Sequence, residues 1–328
     1  MKRLAIIGGG TWGTALAAVA GRAGARPLLW ARDPAIVAAI NERRENPVYL
    51  PGIALDPAIA ATTNLAAAAE AEALLLAVPA QFLRGALNAL HAHLRPGTPL
   101  LLCAKGLETG SLKTMAELTA EIVPTAPVAV LSGPSFAAEV ARGLPTAVVI
   151  ASREAALAEA FAAALGTPRF RPYVSGDPVG VEIGGAVKNV LAIACGIVEG
   201  SGLGDNARAA LITRGLAELV RFGLAKGGQA DTFRGLSGLG DLVLTCSAAQ
   251  SRNYALGLAL GRGAGLAEAL AGRRSVVEGV ATAVAVCELA ARLAVEMPVC
   301  AAVEAVLHRG MAIGDMVERL LSRPFRAE

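Results

Sequence analysis

Short aliphatic runs recur through the first half of the chain, at residues 4–7, 27–30, 73–78, 100–103, 128–131 and 147–150, with alanine-rich stretches between them. The runs are apolar at consecutive positions, not at alternate ones. A strand with one solvated face alternates, whereas a strand covered by helices on both faces does not, so the pattern predicts a parallel, doubly wound sheet with right-handed crossovers. Local signals agree. Asp33-Pro34 reads as a helix N-cap followed by a first-turn proline, and Thr114 with Glu117 as a capping box. After Tyr173 the strand-like runs stop, and the remainder reads as helices between glycine-rich turns, the first opening at Asp177-Pro178 with Glu182 near its positive end. The expected division is a Rossmann-like α/β unit over residues 1–176 and an all-α unit over 177–328.

The 328 residues fit two domains at about 150 residues each. With 54% hydrophobic and 17% charged residues the chain is too apolar to be disordered. Thirty basic against 27 acidic side chains leave +3, and the arginines are scattered, so neither a nucleic-acid footprint nor a membrane-binding patch emerges. Lys2 and Arg3 precede an uncharged run, residues 4–21, that mimics a signal peptide, but Gly8, Gly9 and Gly10 interrupt it and favour strand, turn and helix. The uncharged stretch 122–138 is likewise broken by Pro124, Pro127 and Pro134. Five cysteines without a C-x-x-C pair, and three histidines outside zinc spacing, predict reduced, cytoplasmic chemistry without a metal. His91 and His93, two apart on a predicted helix, read as surface residues.

Gly8-x-Gly10-x-x-Gly13 directly follows the first run and opens a helical segment. In such a turn the first glycine bends the chain, the second admits a pyrophosphate and the third lets helix pack on strand, while free amides and the helix dipole face the anion. In a chain with 37 glycines the triplet alone is weak; its context makes it a dinucleotide site. The second run ends Trp30-Ala31-Arg32-Asp33. With Asp33 occupied as a cap, Arg32 is left for the 2′-phosphate of NADPH, the alternative being a solvated loop arginine.

Only five cations are lysines: Lys2, Lys105, Lys113, Lys188 and Lys226. Arginine serves wherever a plain positive charge suffices, so a lysine in a special place points to proton transfer, which arginine cannot perform near neutral pH. Lys2 and Lys226 read as surface charges. Lys188 has Gly184, Gly185, Leu191 and Ala192 three and four residues away, which is no solvated face. It either snorkels at a helix contact or stands in a cleft, where burial lowers its pKa. Lys105 follows the fourth run, at the sheet edge where ligands bind, or is an ordinary loop residue. Further on, the glycines of 235–240 have the wrong order for a dinucleotide turn. A helix starting at Asp241 would carry Thr245 on the same face, and Ser251-Arg252-Asn253 offers donors for a phosphate ester or simply forms a solvated helix entry.

In this order the pieces resemble the bacterial-type NAD(P)-dependent glycerol-3-phosphate dehydrogenases over nearly the whole chain. The strings that carry the likeness are 8–17 (GGGTWGTALA), 46–53, 104–108 (AKGLE), 132–137 (SGPSFA), 182–189, 202–215, 238–253 and 276–279. The resemblance implies reduction of dihydroxyacetone phosphate, with Lys188 as proton donor and Lys105, Asn189, Asp241, Ser251, Arg252 and Asn253 around the substrate. It places Gly8, Gly10, Thr11, Trp12, Gly13, Arg32, Lys105, Ala137, Arg252, Val276 and Glu278 at the dinucleotide, with Gly133 and Ser135 beside substrate and dinucleotide. It further implies NADPH or NADH, with NADPH preferred, a product that enters phospholipid synthesis, and a cytoplasmic enzyme that could pair as a homodimer. A dehydrogenase of β-hydroxy acids would space its lysine and asparagine about four apart, against the adjacent Lys188-Asn189. A non-catalytic nucleotide sensor would have no use for a lysine on an apolar helix face.

Overall fold

The computed structural model describes residues 1–322. Up to Ser175 strands alternate with helices: β1 (Arg3–Ile7), α1 (Thr11–Arg22), β2 (Arg26–Trp30), α2 (Pro34–Arg43), β3 (Ala60–Thr62), α3 (Leu65–Ala69), β4 (Ala73–Leu76) and α4 (Leu83–His91). The alternation continues with β5 (Leu100–Leu102), α5 (Met115–Ile122), β6 (Val128–Ser132), α6 (Ala137–Ala141), β7 (Thr146–Ala151), α7 (Ala155–Leu165) and β8 (Phe170–Ser175). Helices then take over with α8 (Pro178–Gly200), α9 (Gly204–Ala225), α10 (Ala230–Arg234), α11 (Asp241–Cys246) and α12 (Arg252–Gly261). The last of them are α13 (Leu266–Leu270), α14 (Glu278–Arg292), α15 (Pro298–His308) and α16 (Ile313–Leu321).

The strands form one sheet in the order β3-β2-β1-β4-β5-β6-β7-β8. Its runs are apolar throughout because alternate residues enter different cores. Leu4, Ile6, Leu29, Leu75 and Leu101 pack on one face, while Ala5, Ile7, Leu74, Leu76 and Leu102 pack on the other. The sheet is parallel as expected at every pairing but one, since β7 runs antiparallel to β6 while β8 again runs parallel to β7. Only the short α6 lies between β6 and β7, and the chain turns back along β6 where a crossover had been expected. Two strands lack the expected signal. β3 is Ala-Ala-Thr, and β8 is a half-exposed edge strand that interleaves Arg171 and Pro172 with Phe170 and Tyr173, so strand structure extends past the change of pattern at Tyr173.

The anticipated caps are present. Asp33 Oδ1 accepts from the Ala35 amide at 2.9 Å, Thr114 and Glu117 close a capping box, and Asp177 Oδ1 accepts from the Gly180 amide at 2.8 Å. Glu182 departs from its expected place. It does not serve its own helix dipole; Oε1 accepts from the Ala116 amide at 2.8 Å, at the start of α5 in the sheet half of the molecule. Burial pushes its carboxyl up to about 7, the amide bond only partly opposing. Lys226 also reaches across, pairing with Glu117 at 2.6 Å, and so is more than a solvated charge.

α8 is the axis of the helical half. It is long and apolar enough to span a bilayer, yet the apolar window is entirely buried, enclosed by α9, α11, α12, α14 and α15. Its contact with α12 is made backbone to backbone. Gly196 and Gly200 face Gly257 and Gly261, and a Cβ on any of the four would come within 2.0–2.5 Å of a carbonyl on the facing helix.

Candidate active site

The carboxyl ends of β1, β2, β4, β5 and β6 open into one cleft of about 950 Å³, whose opposite wall comes from α8, the end of α11, the start of α12 and the segment before α14. A crevice at the carboxyl edge of such a sheet, where β1 and β4 lead in opposite directions, is where ligands bind. The cleft is cationic: Arg32, Lys105, Lys188, Arg252 and Arg274 line it against Asp33 and Glu278.

At the sheet side lies the glycine turn. Gly8 has φ +123°, a conformation that glycine tolerates, and a Cβ at Gly13 would stand 1.8 Å from the Gly8 carbonyl oxygen. α1 therefore starts tight against β1, with no side-chain cap and no acid in its first turn. Gly8, Gly10, Thr11, Trp12, Arg32, Ala137, Val276 and Glu278 all line the cleft; Gly13 lies behind it, as a packing glycine should. Two buried polar atoms here, Trp12 Nε1 and Glu278 Oε2, have no protein partner among the described residues. Burial pushes the Glu278 carboxyl up to about 7, opposed by the Ala80 amide, which donates to Oε1 at 3.1 Å, and by Arg252. Uncapped amides, orphaned polar atoms and cationic walls fit a dinucleotide: Gly8 to Trp12 would hold its phosphates, which no buried apolar pocket would do.

At the inner end two lysines share one carboxylate. Lys188 Nζ donates to Asp241 Oδ1 at 2.6 Å and to Thr245 Oγ1 at 2.8 Å; Lys105 Nζ donates to Asp241 Oδ2 at 2.7 Å and to the Gly133 carbonyl at 3.0 Å. Burial disfavours the charge on Asp241, but the two ammonium groups overcome it and hold the carboxyl below its usual range. Burial, together with the neighbouring Lys105 and against the pull of Asp241, lowers Lys188 to about 8. An amide relay joins the two walls: Asn253 Oδ1 accepts from the Gly279 amide, Asn253 Nδ2 donates to Asn189 Oδ1, both at 2.9 Å, and Asn189 Nδ2 donates to the Lys105 carbonyl at 3.1 Å. Ser251 Oγ accepts from the Tyr254 amide and so caps α12, and Arg252 is steadied by the Val276 carbonyl at 2.9 Å.

The predicted residues thus gather in one place. Asp241 and Gly133 lie behind the cleft wall and are joined to it by the lysines, and Ser135 donates to the Gly133 carbonyl at 2.8 Å. Tyr49, Leu65, Phe82 and Arg274 also line the cleft and carry no spacing that would have marked them. The double use of Asp241 was equally hidden, since Lys105 and Asp241 are far apart in sequence.

Models of the NAD-dependent glycerol-3-phosphate dehydrogenase N-terminus and C-terminus match residues 3–158 and 177–318. Glycerol-3-phosphate dehydrogenase (NAD(P)+) of Rhodospirillum rubrum is 58% identical over 330 residues, covering 100% of this chain and 94% of that protein. The Caulobacter vibrioides protein of the same name is 56% identical, covering 100% and 99%. The crystal structure of glycerol-3-phosphate dehydrogenase from Coxiella burnetii superimposes with a TM-score of 0.94 at 40% identity, covering 98% of this chain and 99% of that one.

Proposed function

The chain belongs to the NAD-dependent glycerol-3-phosphate dehydrogenase family, and from that premise we propose which of its residues carry the reaction. The enzyme interconverts dihydroxyacetone phosphate and sn-glycerol 3-phosphate with NAD(P)H as reductant. A bound nicotinamide coenzyme supplies the hydride. Lys188 gives the proton to the carbonyl oxygen. An ammonium has three N–H donors; Asp241 and Thr245 take two of those on Lys188, and Asp241 and Gly133 take two on Lys105, so each lysine keeps one to aim into the cleft. Two donors converging on one oxygen stabilise the alkoxide as it forms. Arg252 and Asn253, at the start of α12, anchor the phosphate so that binding far from the carbonyl positions it. The working units are residues 1–176 for the coenzyme and 177–328 for the chemistry. Cytoplasmic location, a homodimer and delivery of product to glycerophospholipid synthesis belong to the same proposal.

The observation that carries this reading is the buried Lys188 ammonium between Asp241 and Thr245. It fixes a pH signature. Reduction needs Lys188 protonated, so kcat/KM for dihydroxyacetone phosphate is expected to fall tenfold per pH unit above about 8; oxidation of glycerol 3-phosphate needs the neutral amine and rises towards the same pH. A reductive profile that stays level through pH 9 rejects Lys188 as the donor.

For the coenzyme, Asp33 is committed to the Ala35 amide while Arg32 stands exposed at the cleft, with no ion pair among the described residues. This supports NADPH over NADH. Arg32→Ala is expected to lower kcat/KM for NADPH roughly 10–100-fold, the worth of a charged hydrogen bond, and that for NADH by less than about threefold. Equal losses with both coenzymes would assign Arg32 to something other than the 2′-phosphate.

A further inference from the structure

Behind the glycine turn lies a fully buried amide that the reaction does not use. Asn46 Nδ2 donates to the Gly9 carbonyl at 3.0 Å and to Thr14 Oγ1 at 2.8 Å, and Thr14 Oγ1 donates to the Gly10 carbonyl at 2.9 Å. Asn46 Oδ1 accepts from the Tyr49 amide at 3.2 Å, and Tyr49 is itself part of the cleft wall. Asn46 and Thr14 are both 0% exposed. In a trans peptide the carbonyl of one residue and the N–H of the next point in opposite directions across a single plane. Pulling the Gly9 carbonyl back into the protein therefore turns the Gly10 amide outward, and pulling the Gly10 carbonyl back does the same for the Thr11 amide. Glycines at 8, 9 and 10 give the turn great conformational freedom, which an anion would otherwise have to freeze on binding.

We propose that Asn46, acting through Thr14, is a positioning residue that pre-aims the Gly10 and Thr11 amides at the coenzyme pyrophosphate. The inference rests on the reading above that this turn receives the coenzyme. Asn46 touches no ligand; it sets the direction of two donors that do. Because it also holds Tyr49, it ties the floor of the cleft to its wall.

The test is direct NADPH binding to the whole protein, followed by quenching of Trp12 and Trp30 fluorescence, with steady-state kinetics and thermal melts of the coenzyme-free variants alongside. Asn46→Leu keeps the branching in a bulkier side chain and removes the two donated hydrogen bonds together with the acceptor for the Tyr49 amide; its NADPH dissociation constant is expected to rise on the order of 10–100-fold, chiefly from the two hydrogen bonds lost behind the glycine turn. Thr14→Val, which removes both hydrogen bonds of the hydroxyl but leaves Asn46 on the Gly9 carbonyl, should raise it about 3–10-fold, and Thr14→Ser should restore it. At saturating NADPH, kcat and the KM for dihydroxyacetone phosphate should stay within about threefold of wild type, a split that general loss of structure would not give. If Asn46→Leu fails to fold, the Thr14→Val and Thr14→Ser pair decides. Dissociation constants of the folded variants within twofold of wild type, or a kcat that falls as far as affinity, overturn the proposal. Wild-type protein that does not bind NADPH at all would instead sink the coenzyme reading itself.

Discussion

Replacing Lys188 with methionine is expected to lower kcat for dihydroxyacetone phosphate reduction by about 10²–10⁴-fold, the range a positioned proton donor supplies. Coenzyme affinity should be unaffected, because the glycine turn and Arg32 lie at the other side of the cleft. Folding should survive as well. Asp241 keeps Lys105 at 2.7 Å, so the buried carboxylate is not stranded, and removing one buried ammonium relieves a desolvation cost. A melting temperature equal to or above wild type would show that the lost turnover is chemical. Lys188→Arg should not rescue activity, since a guanidinium keeps its proton near neutral pH. A Lys188→Met enzyme with turnover within threefold of wild type would end the mechanism.

The second large effect is expected far from the chemistry. Gly257→Ala places a methyl 2.0 Å from the Ile193 carbonyl oxygen and 2.9 Å from the Ile197 amide, both backbone atoms on α8. Neither can rotate away, so α12 must move off α8. Overpacking of this kind costs about 1–3 kcal/mol or more. The functional consequence should be larger than the loss of stability suggests, because α8 carries Lys188 and Asn189 while α12 begins with Arg252 and Asn253. Separating the helices by about 1 Å pulls phosphate anchor from proton donor, enough for roughly a hundredfold loss in kcat/KM for dihydroxyacetone phosphate. Gly314→Ala on α16, where a Cβ meets nothing within 4 Å, is the matched control and should be neutral or mildly stabilising. Urea unfolding and kinetics on the two variants check the claim; Gly257→Ala with wild-type kcat/KM would show that the helix contact does not set the site.

How much of this the chain declares depends on whether the signal is local. The glycine turn, the Asp33 and Asp177 caps and the capping box at Thr114 are legible because each is a few consecutive residues answering one backbone requirement. Lys188 stands out because lysine is scarce and its helix face is apolar. β3 and β8 escape because they are short or at an edge and bury too little to need a run of branched residues. The reversal of β7 escapes because hydrophobic pattern reports burial, not direction. Glu182, Asn46 and the sharing of Asp241 by two lysines are invisible for another reason: each joins residues that only the folded chain brings together. For Glu182 and Asp241 a polar side chain in an otherwise apolar window is the one hint, and it says that a partner exists without saying where; Asn46, which follows Glu42, Arg43, Arg44 and Glu45, leaves none.

The all-round apolarity of α8 has a consequence during synthesis. The helices that cover it, from α9 to α15, are all translated after it, and at about 5–20 residues per second it waits for seconds with its greasy surface uncovered. Throughout that interval the nascent chain holds a segment that a lipid bilayer or another unfinished chain would accept, with Glu182, Lys188 and, at its end, Glu199 to discourage them. Two of these charges, Lys188 in the chemistry and Glu182 in the internal bracing, therefore also help to keep the unfinished form from going astray.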